Sequence, residues 1–244
     1  MPREIILKTK DRVKIAADYY TKNCDSVVII APGWCMTKNS KAFREISREF
    51  FKKYDVLTFD FRGHGKSGGF YTFSAKEEND LSAVVDFAKR KNYKKIFLAG
   101  FSLGAAVCAI YAAEHKTDKI ILVSAPYDFS KIENQMYKKE AWFETFKKFE
   151  LKRFLSIRPS VVIHRKTKPC DVIDKIGAPL LFIAGKKDPT VHFWHCEELF
   201  KKAKCKKRFV LYENGLHAED IFLHAGNDFM RTCFCWLEEE KTDT

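Results

Sequence analysis

Gly100-Phe101-Ser102-Leu103-Gly104 sits between a strand-like run, Lys95-Ile96-Phe97-Leu98-Ala99, and a run of small helix-forming residues, Ala105-Ala106-Val107-Cys108-Ala109. A strand that passes straight into a helix must turn sharply, and glycines two before and two after the serine keep side chains from crowding that turn. The serine hydroxyl then stands exposed at the edge of a sheet, facing the N-terminus of the helix. Free N–H groups and the positive helix end favour a negative oxygen developing at that point.

The rest of the chain repeats the strand-to-helix pattern. Two strands, Ile5 to Thr9 and Arg12 to Tyr20, are separated by the turn residues Lys10 and Asp11 and read as antiparallel. After them come a strand from Val27 to Ala31, a helix near Ser40 to Lys53, a strand from Val56 to Asp60 and a helix from about Ala75 to Arg90. Beyond the serine turn the pattern predicts a helix from Leu103 to His115, a strand from Lys119 to Ser124, a strand from Leu180 to Gly185 and a helix around Trp194 to Lys202. A strand from Arg208 to Tyr212 and a closing helix from about Glu219 to Glu238 complete it. Alternation of this kind implies an α/β fold with a mainly parallel sheet and helices on both faces, and such sheets place their sites at the carboxyl ends of strands.

A serine hydroxyl is a weak nucleophile at neutral pH and needs a base that a carboxylate orients. Both partners follow in suitable loops. Asp188 stands three residues beyond Gly185, with Pro189 stiffening the turn, and Glu213-Asn214-Gly215-Leu216-His217 is a turn-prone loop that delivers His217 before the final helix. Asp128, at the end of Ser124-Ala125-Pro126-Tyr127-Asp128, is the alternative acid; the Gly-x-x-Asp setting favours Asp188. Ser102, Asp188 and His217 all fall at carboxyl ends of predicted strands.

In these features the chain resembles the α/β-hydrolase superfamily over nearly its whole length. Val28-Ile29-Ile30-Ala31-Pro32-Gly33-Trp34 resembles the family's strand and oxyanion loop, and Asp60-Phe61-Arg62-Gly63-His64-Gly65-Lys66-Ser67 resembles the D-x-R-G-x-G-x-S turn of cap-bearing members. The resemblance implies Ser102 as nucleophile, Asp188 as acid and His217 as general base, with the backbone N–H groups of Trp34 and Leu103 forming the oxyanion hole. It also implies carboxylic ester hydrolysis without a cofactor, with thioester or lysophospholipid cleavage as alternatives that use the same residues. A non-catalytic hydrolase fold used for binding is the rival from another class. The chain departs from many relatives in carrying Pro32 where a histidine precedes the glycine.

With 244 residues and no Pro/Gly/Ser-rich linker, the expectation is one domain over 1–244, with an insertion at about residues 127–170 forming a small helical cap. In the insertion, between Glu140 and Leu155, Phe143, Phe146, Phe149 or Glu150, and Phe154 recur near helical spacing opposite Lys147, Lys148, Lys152 and Arg153. That stripe either packs on the core or lines an acyl pocket; Trp34, Phe101, Phe143 and Phe146 are the candidate substrate contacts. The formal net charge of +12 comes from lysines spread along the chain. Such spacing reads as solvated faces, so a small-molecule ester is the expected partner, nucleic acid is not, and contact with a membrane surface is not favoured. Oligomeric state is left open.

A charged start, Met1-Pro2-Arg3-Glu4, and the lack of any bilayer-length apolar run lead to the expectation of a soluble cytoplasmic protein. In that setting the eight cysteines read as reduced thiols, with Cys35, beside the expected oxyanion loop, the one able to affect activity. His192, His195 and Cys196 lack the spacing of a zinc site, and no metal is expected. His64 reads as part of its turn; His115, His164 and His224 read as packing or surface residues.

Overall fold

In a computed structural model, the structure describes residues 2–133, 156–162 and 166–239. The expected segments Phe143 and Phe146, with the rest of the aromatic stripe and His164, lie outside the described residues.

Strands β1 (Arg3–Lys8), β2 (Lys14–Tyr20), β3 (Ser26–Ala31), β4 (Asp55–Phe59), β5 (Lys95–Phe101), β6 (Lys119–Val123), β7 (Leu180–Gly185) and β8 (Lys207–Tyr212) form one eight-stranded sheet in the order β1-β2-β4-β3-β5-β6-β7-β8. β1 and β2 pair antiparallel with Arg3 opposite Tyr19, and β2 runs antiparallel to β4. From β4 to β8 every neighbouring pair is parallel. The hairpin turn is held by the Thr9 hydroxyl, which donates to Asp11 Oδ1 at 2.6 Å and accepts from Val13 N–H. This turn takes up Arg12 and Val13, so β2 begins at Lys14 rather than Arg12.

Helices α1 (Lys41–Phe51), α2 (Glu77–Arg90), α3 (Leu103–Glu114), α4 (Trp194–Lys202) and α5 (Glu219–Glu238) cover both faces. Side chains of the central strands alternate between the two covers, as the two-residue period of a strand requires. Val27, Ile29 and Ala31 of β3 join the cluster under α2, α3 and α4, whereas Val28 and Ile30 join the cluster under α1 and α5. Both faces being covered explains why β3, β6 and β7 read as unbroken apolar runs. α1 shows the stripe of a one-sided helix, with Phe43, Ile46 and Phe50 buried. α3 is buried almost all round, which is why its residues are small. The closing helix keeps the expected bounds but kinks at Ala225 (φ −133°, ψ 40°), beside Gly226.

Residues 158–160, within the insertion, are tied to the loop that follows β4. Arg158 N–H donates to Gly63 O at 2.8 Å, Tyr71 N–H to Arg158 O at 2.8 Å and Ser160 N–H to Tyr71 O at 2.7 Å. Among the described residues no helix is long and apolar enough to cross a membrane.

Candidate active site

The glycines around Ser102 allow two close approaches. A Cβ on Gly104 would lie 2.0 Å from Ala31 O, and one on Gly100 would lie 2.5 Å from Gly104 O. Only hydrogen at these positions lets the first turn of α3 press against β3 and fold back over β5. The turn forces Ser102 to φ 52°, ψ −112°, a conformation that costs a non-glycine residue about 1–3 kcal/mol. Main-chain bonds on both sides hold it there: Ser102 N–H donates to Val123 O at 2.8 Å, and Ser102 O accepts from Ala106 N–H at 3.1 Å.

Asp188 and His217 arrive from the ends of β7 and β8. Lys187 N–H donates to Gly215 O at 3.0 Å, which knits the two loops together. His217 Nδ1 donates to Asp188 Oδ2 at 2.8 Å, leaving Nε2 to accept from the Ser102 hydroxyl at 3.0 Å. The other carboxylate oxygen, Asp188 Oδ1, accepts from Thr190 N–H at 2.8 Å and Val191 N–H at 2.9 Å. Burial pushes the Asp188 carboxyl up, but the His217 ring and those two N–H groups outweigh it and hold it below the usual range. The carboxylate side chain is fully covered while the imidazole keeps 14% of its surface open, so the ring faces both an ionised partner and the outside.

Gly33 lies against the serine: a Cβ built on it would come within 3.6 Å of Ser102 Cβ and 3.5 Å of Phe101 O. The chain turns at once, with Met36 N–H donating to Gly33 O at 3.2 Å and Cys35 in the left-handed region at φ 61°. The backbone N–H group of Trp34 directly follows Gly33 in this turn, and that of Leu103 directly follows Ser102 at the start of α3. Among the described residues neither is engaged by a hydrogen bond. Trp34 packs partly buried against the α2–α3 side of the core, and its indole Nε1 is covered without a partner.

Other expected residues stand elsewhere. Phe101, expected as a substrate contact, is instead a core residue with no exposed surface. At the last position of β5 its side chain points to the α1–α5 face and meets Phe43 edge-on at 5.2 Å. Asp128 is engaged elsewhere: its carboxylate accepts from Ser130 N–H at 2.9 Å and from the Lys168 ammonium at 2.9 Å. Burial pushes the Cys35 thiol up to about 12, so little nucleophilic thiolate is present at neutral pH. His195 Nδ1 accepts from Tyr127 N–H and Cys196 Sγ from Ala125 N–H, so main chain occupies both. His64 is buried in its turn with Nδ1 at 3.0 Å from Arg62 O, and His224 Nδ1 lies 2.8 Å from Asp220 O. A grouping that sequence spacing did not suggest, Glu78, Glu114 and His115, has ligand atoms within 4.8 Å of one another. Glu114 and His115 lie at the end of α3 remote from Ser102, about 18 Å along the helix axis.

Two supports were not foreseen. The Ser124 hydroxyl accepts from Ala218 N–H at 3.0 Å, fixing the backbone directly after His217. Its only sequence signal is its place at the carboxyl end of β6. Lys38 is the second: its side chain is 1% exposed although it lies in a polar loop that reads as solvated.

Residues 26–158 match the family described as alpha/beta hydrolase fold. The chain is 32% identical over 176 residues to the uncharacterized protein YqkD of Bacillus subtilis, a match covering 68% of this chain and 56% of that protein. It is 25% identical over 185 residues to the uncharacterized protein YfhR of Escherichia coli, covering 74% and 58% respectively. The match thus spans less than two thirds of either relative's length. Among solved structures, the esterase Pf2001 of Pyrococcus furiosus superposes with a TM-score of 0.80 at 24% identity, over 98% of this chain and 91% of that one. The esterase EaEST of Exiguobacterium antarcticum gives 0.75 at 18% identity, over 97% and 100%.

Proposed function

Because this chain belongs to the α/β-hydrolase fold family, we propose that it is a serine hydrolase that cleaves carboxylic esters of small molecules through an acyl-enzyme intermediate. The observation that carries the reading is the unbroken relay of the Ser102 hydroxyl, the His217 ring and the Asp188 carboxylate at 3.0 and 2.8 Å. The esterases among the solved structures of the same fold lend it the ester as substrate.

In the first half of the reaction His217 Nε2 takes the Ser102 proton as Oγ attacks the ester carbonyl. Asp188 holds the ring in the tautomer that makes Nε2 the base, and stabilises the imidazolium that forms. The carbonyl oxygen, now negative, is met by the backbone N–H groups of Trp34 and Leu103, and the start of α3 adds its positive end. His217 then returns the proton to the leaving alcohol. In the second half the same nitrogen activates water against the acyl-enzyme, and Ser102 is regenerated.

The test is hydrolysis of p-nitrophenyl esters of increasing acyl length, at pH 7 to 8, by the native protein and by Ser102→Ala. Turnover by the native protein alone supports the reading, and its optimum reports the length of acyl chain that fits. Equal inertness of both proteins across the series overturns it.

A further inference from the structure

The loop that carries Trp34 is anchored by a buried cation. Lys38 follows it by four residues, and its main-chain N–H donates to Asp60 Oδ1 at 2.8 Å. Its ammonium donates to Asp18 Oδ1 at 2.6 Å and to Glu4 Oε2 at 2.9 Å. Asp18 lies on β2, Glu4 on β1 and Asp60 just past the end of β4, so one residue ties the loop to three strands of the sheet edge. Asp60, fully buried, accepts from Lys66 N–H with its other oxygen at 2.9 Å, and the Lys66 ammonium donates to Glu4 at 2.8 Å. The D-x-R-G-x-G-x-S turn and the Trp34 loop thus share one set of carboxylates.

A buried ammonium is a demanding way to close a loop, because a charge out of water is tolerated only where its partners are held in place. An ammonium bonded to carboxylates on two strands restricts where the loop can lie. That position needs holding: Cys35 stands at φ 61°, a conformation that a non-glycine residue keeps only when its surroundings enforce it. The main-chain N–H of Trp34 is one residue upstream of that strained position.

We propose that Lys38 is a positioning residue: its ammonium, locked between Asp18 and Glu4, keeps the 33–38 loop where the Trp34 N–H can meet the oxygen that becomes negative during attack by Ser102. The inference rests on the ester-hydrolase reading. It assigns Lys38 no contact with substrate, so its removal acts on the transition state more than on binding.

The experiment compares native protein, Lys38→Met and the charge-neutral pair Asp18→Asn/Lys38→Met. The pair removes the anchor without leaving a buried carboxylate unpaired, and so keeps the test valid where Lys38→Met alone folds poorly. Steady-state hydrolysis of the best p-nitrophenyl ester and amide hydrogen exchange of residues 33–38 are measured on each. The folded pair is expected to lose roughly 10- to 100-fold in kcat with KM within about twofold, the scale on which misplaced groups lower rates. Its 33–38 amides are expected to exchange faster. A kcat within twofold of native, or a loss confined to KM, overturns the proposal whatever the exchange shows. If the native protein has no Ser102-dependent turnover, the ester reading falls by itself. Exchange then decides the anchor: faster exchange in the pair upholds it and unchanged exchange overturns it.

Discussion

Ser102 is approached from two sides, and they are built differently. On one side Asp188 and His217 stand at the ends of neighbouring parallel strands, β7 and β8, and their loops are stitched by main-chain bonds such as Lys187 N–H to Gly215 O. On the other side the Trp34 loop leaves β3 and is secured by side-chain charges, with Lys38 reaching Asp18 and Glu4 on the antiparallel edge. The first side uses the regular geometry of a parallel sheet, where adjacent strand ends lie about 4.8 Å apart. The second uses ion pairs that reach past the end of β4 to the antiparallel strands β1 and β2. Main-chain stitching holds a loop whatever its side chains, whereas an ionic anchor depends on a few residues being right.

The largest expected effect sets the baseline for both sides: Ser102→Ala should lower kcat on a p-nitrophenyl ester by on the order of 10⁶. Asp188→Asn then isolates the acid–base side, with an expected loss of about 10⁴ in kcat, because the ring is no longer held in the tautomer that leaves Nε2 free to accept. Asp128→Asn in the same assay should leave kcat near the native value, and a comparable loss there would move the acid to the other strand end.

Beneath both sides lies Phe101. Phe101→Ala should cost about 3–5 kcal/mol in urea unfolding with KM unchanged, because its ring fills the core against Phe43; a raised KM at native stability would return it to the substrate. Ser124→Ala is the acid–base counterpart of removing the Lys38 anchor. It strips the partner from the buried Ala218 N–H and should cost about 1–3 kcal/mol in the same measurement.

The smallest effect concerns the charged edge on the Trp34 side. Asp11 is held down, from the usual 3.8 to about 2, chiefly by its hydrogen bonds to Arg62. Between these values the unfolded chain binds a proton that the folded chain does not, so this contribution is complete above pH 3.8 and is lost as pH falls toward 2. Because Asp11 is about a third exposed, the expected change is only a few degrees in Tm. Thermal melts across that window should show it in the native protein and flatten it in Asp11→Asn.

The same division governs how much was legible beforehand. Ser102, Asp188 and His217 stand out because each follows an apolar run and a glycine-marked turn, features contained in a few consecutive residues. Lys38 does not stand out, since a lysine in a polar loop looks the same whether solvated or buried, and its carboxylates come from 20 and 34 residues away. Phe101 misled for a related reason: adjacency to Ser102 in sequence says nothing about which face of the sheet its side chain takes, and the strand period sends it away from the serine's opening.

By itself the amino-acid sequence determined the strand and helix alternation, the sharp serine turn and the order of the three residues at strand ends, because backbone propensity and two- or four-residue periods are local properties. Only the tertiary structure decided which carboxylate faces His217, which cation is buried and which aromatic is core. Those outcomes depend on contacts between distant segments, such as the 115 residues that separate Ser102 from His217, and the packed sheet brings these together.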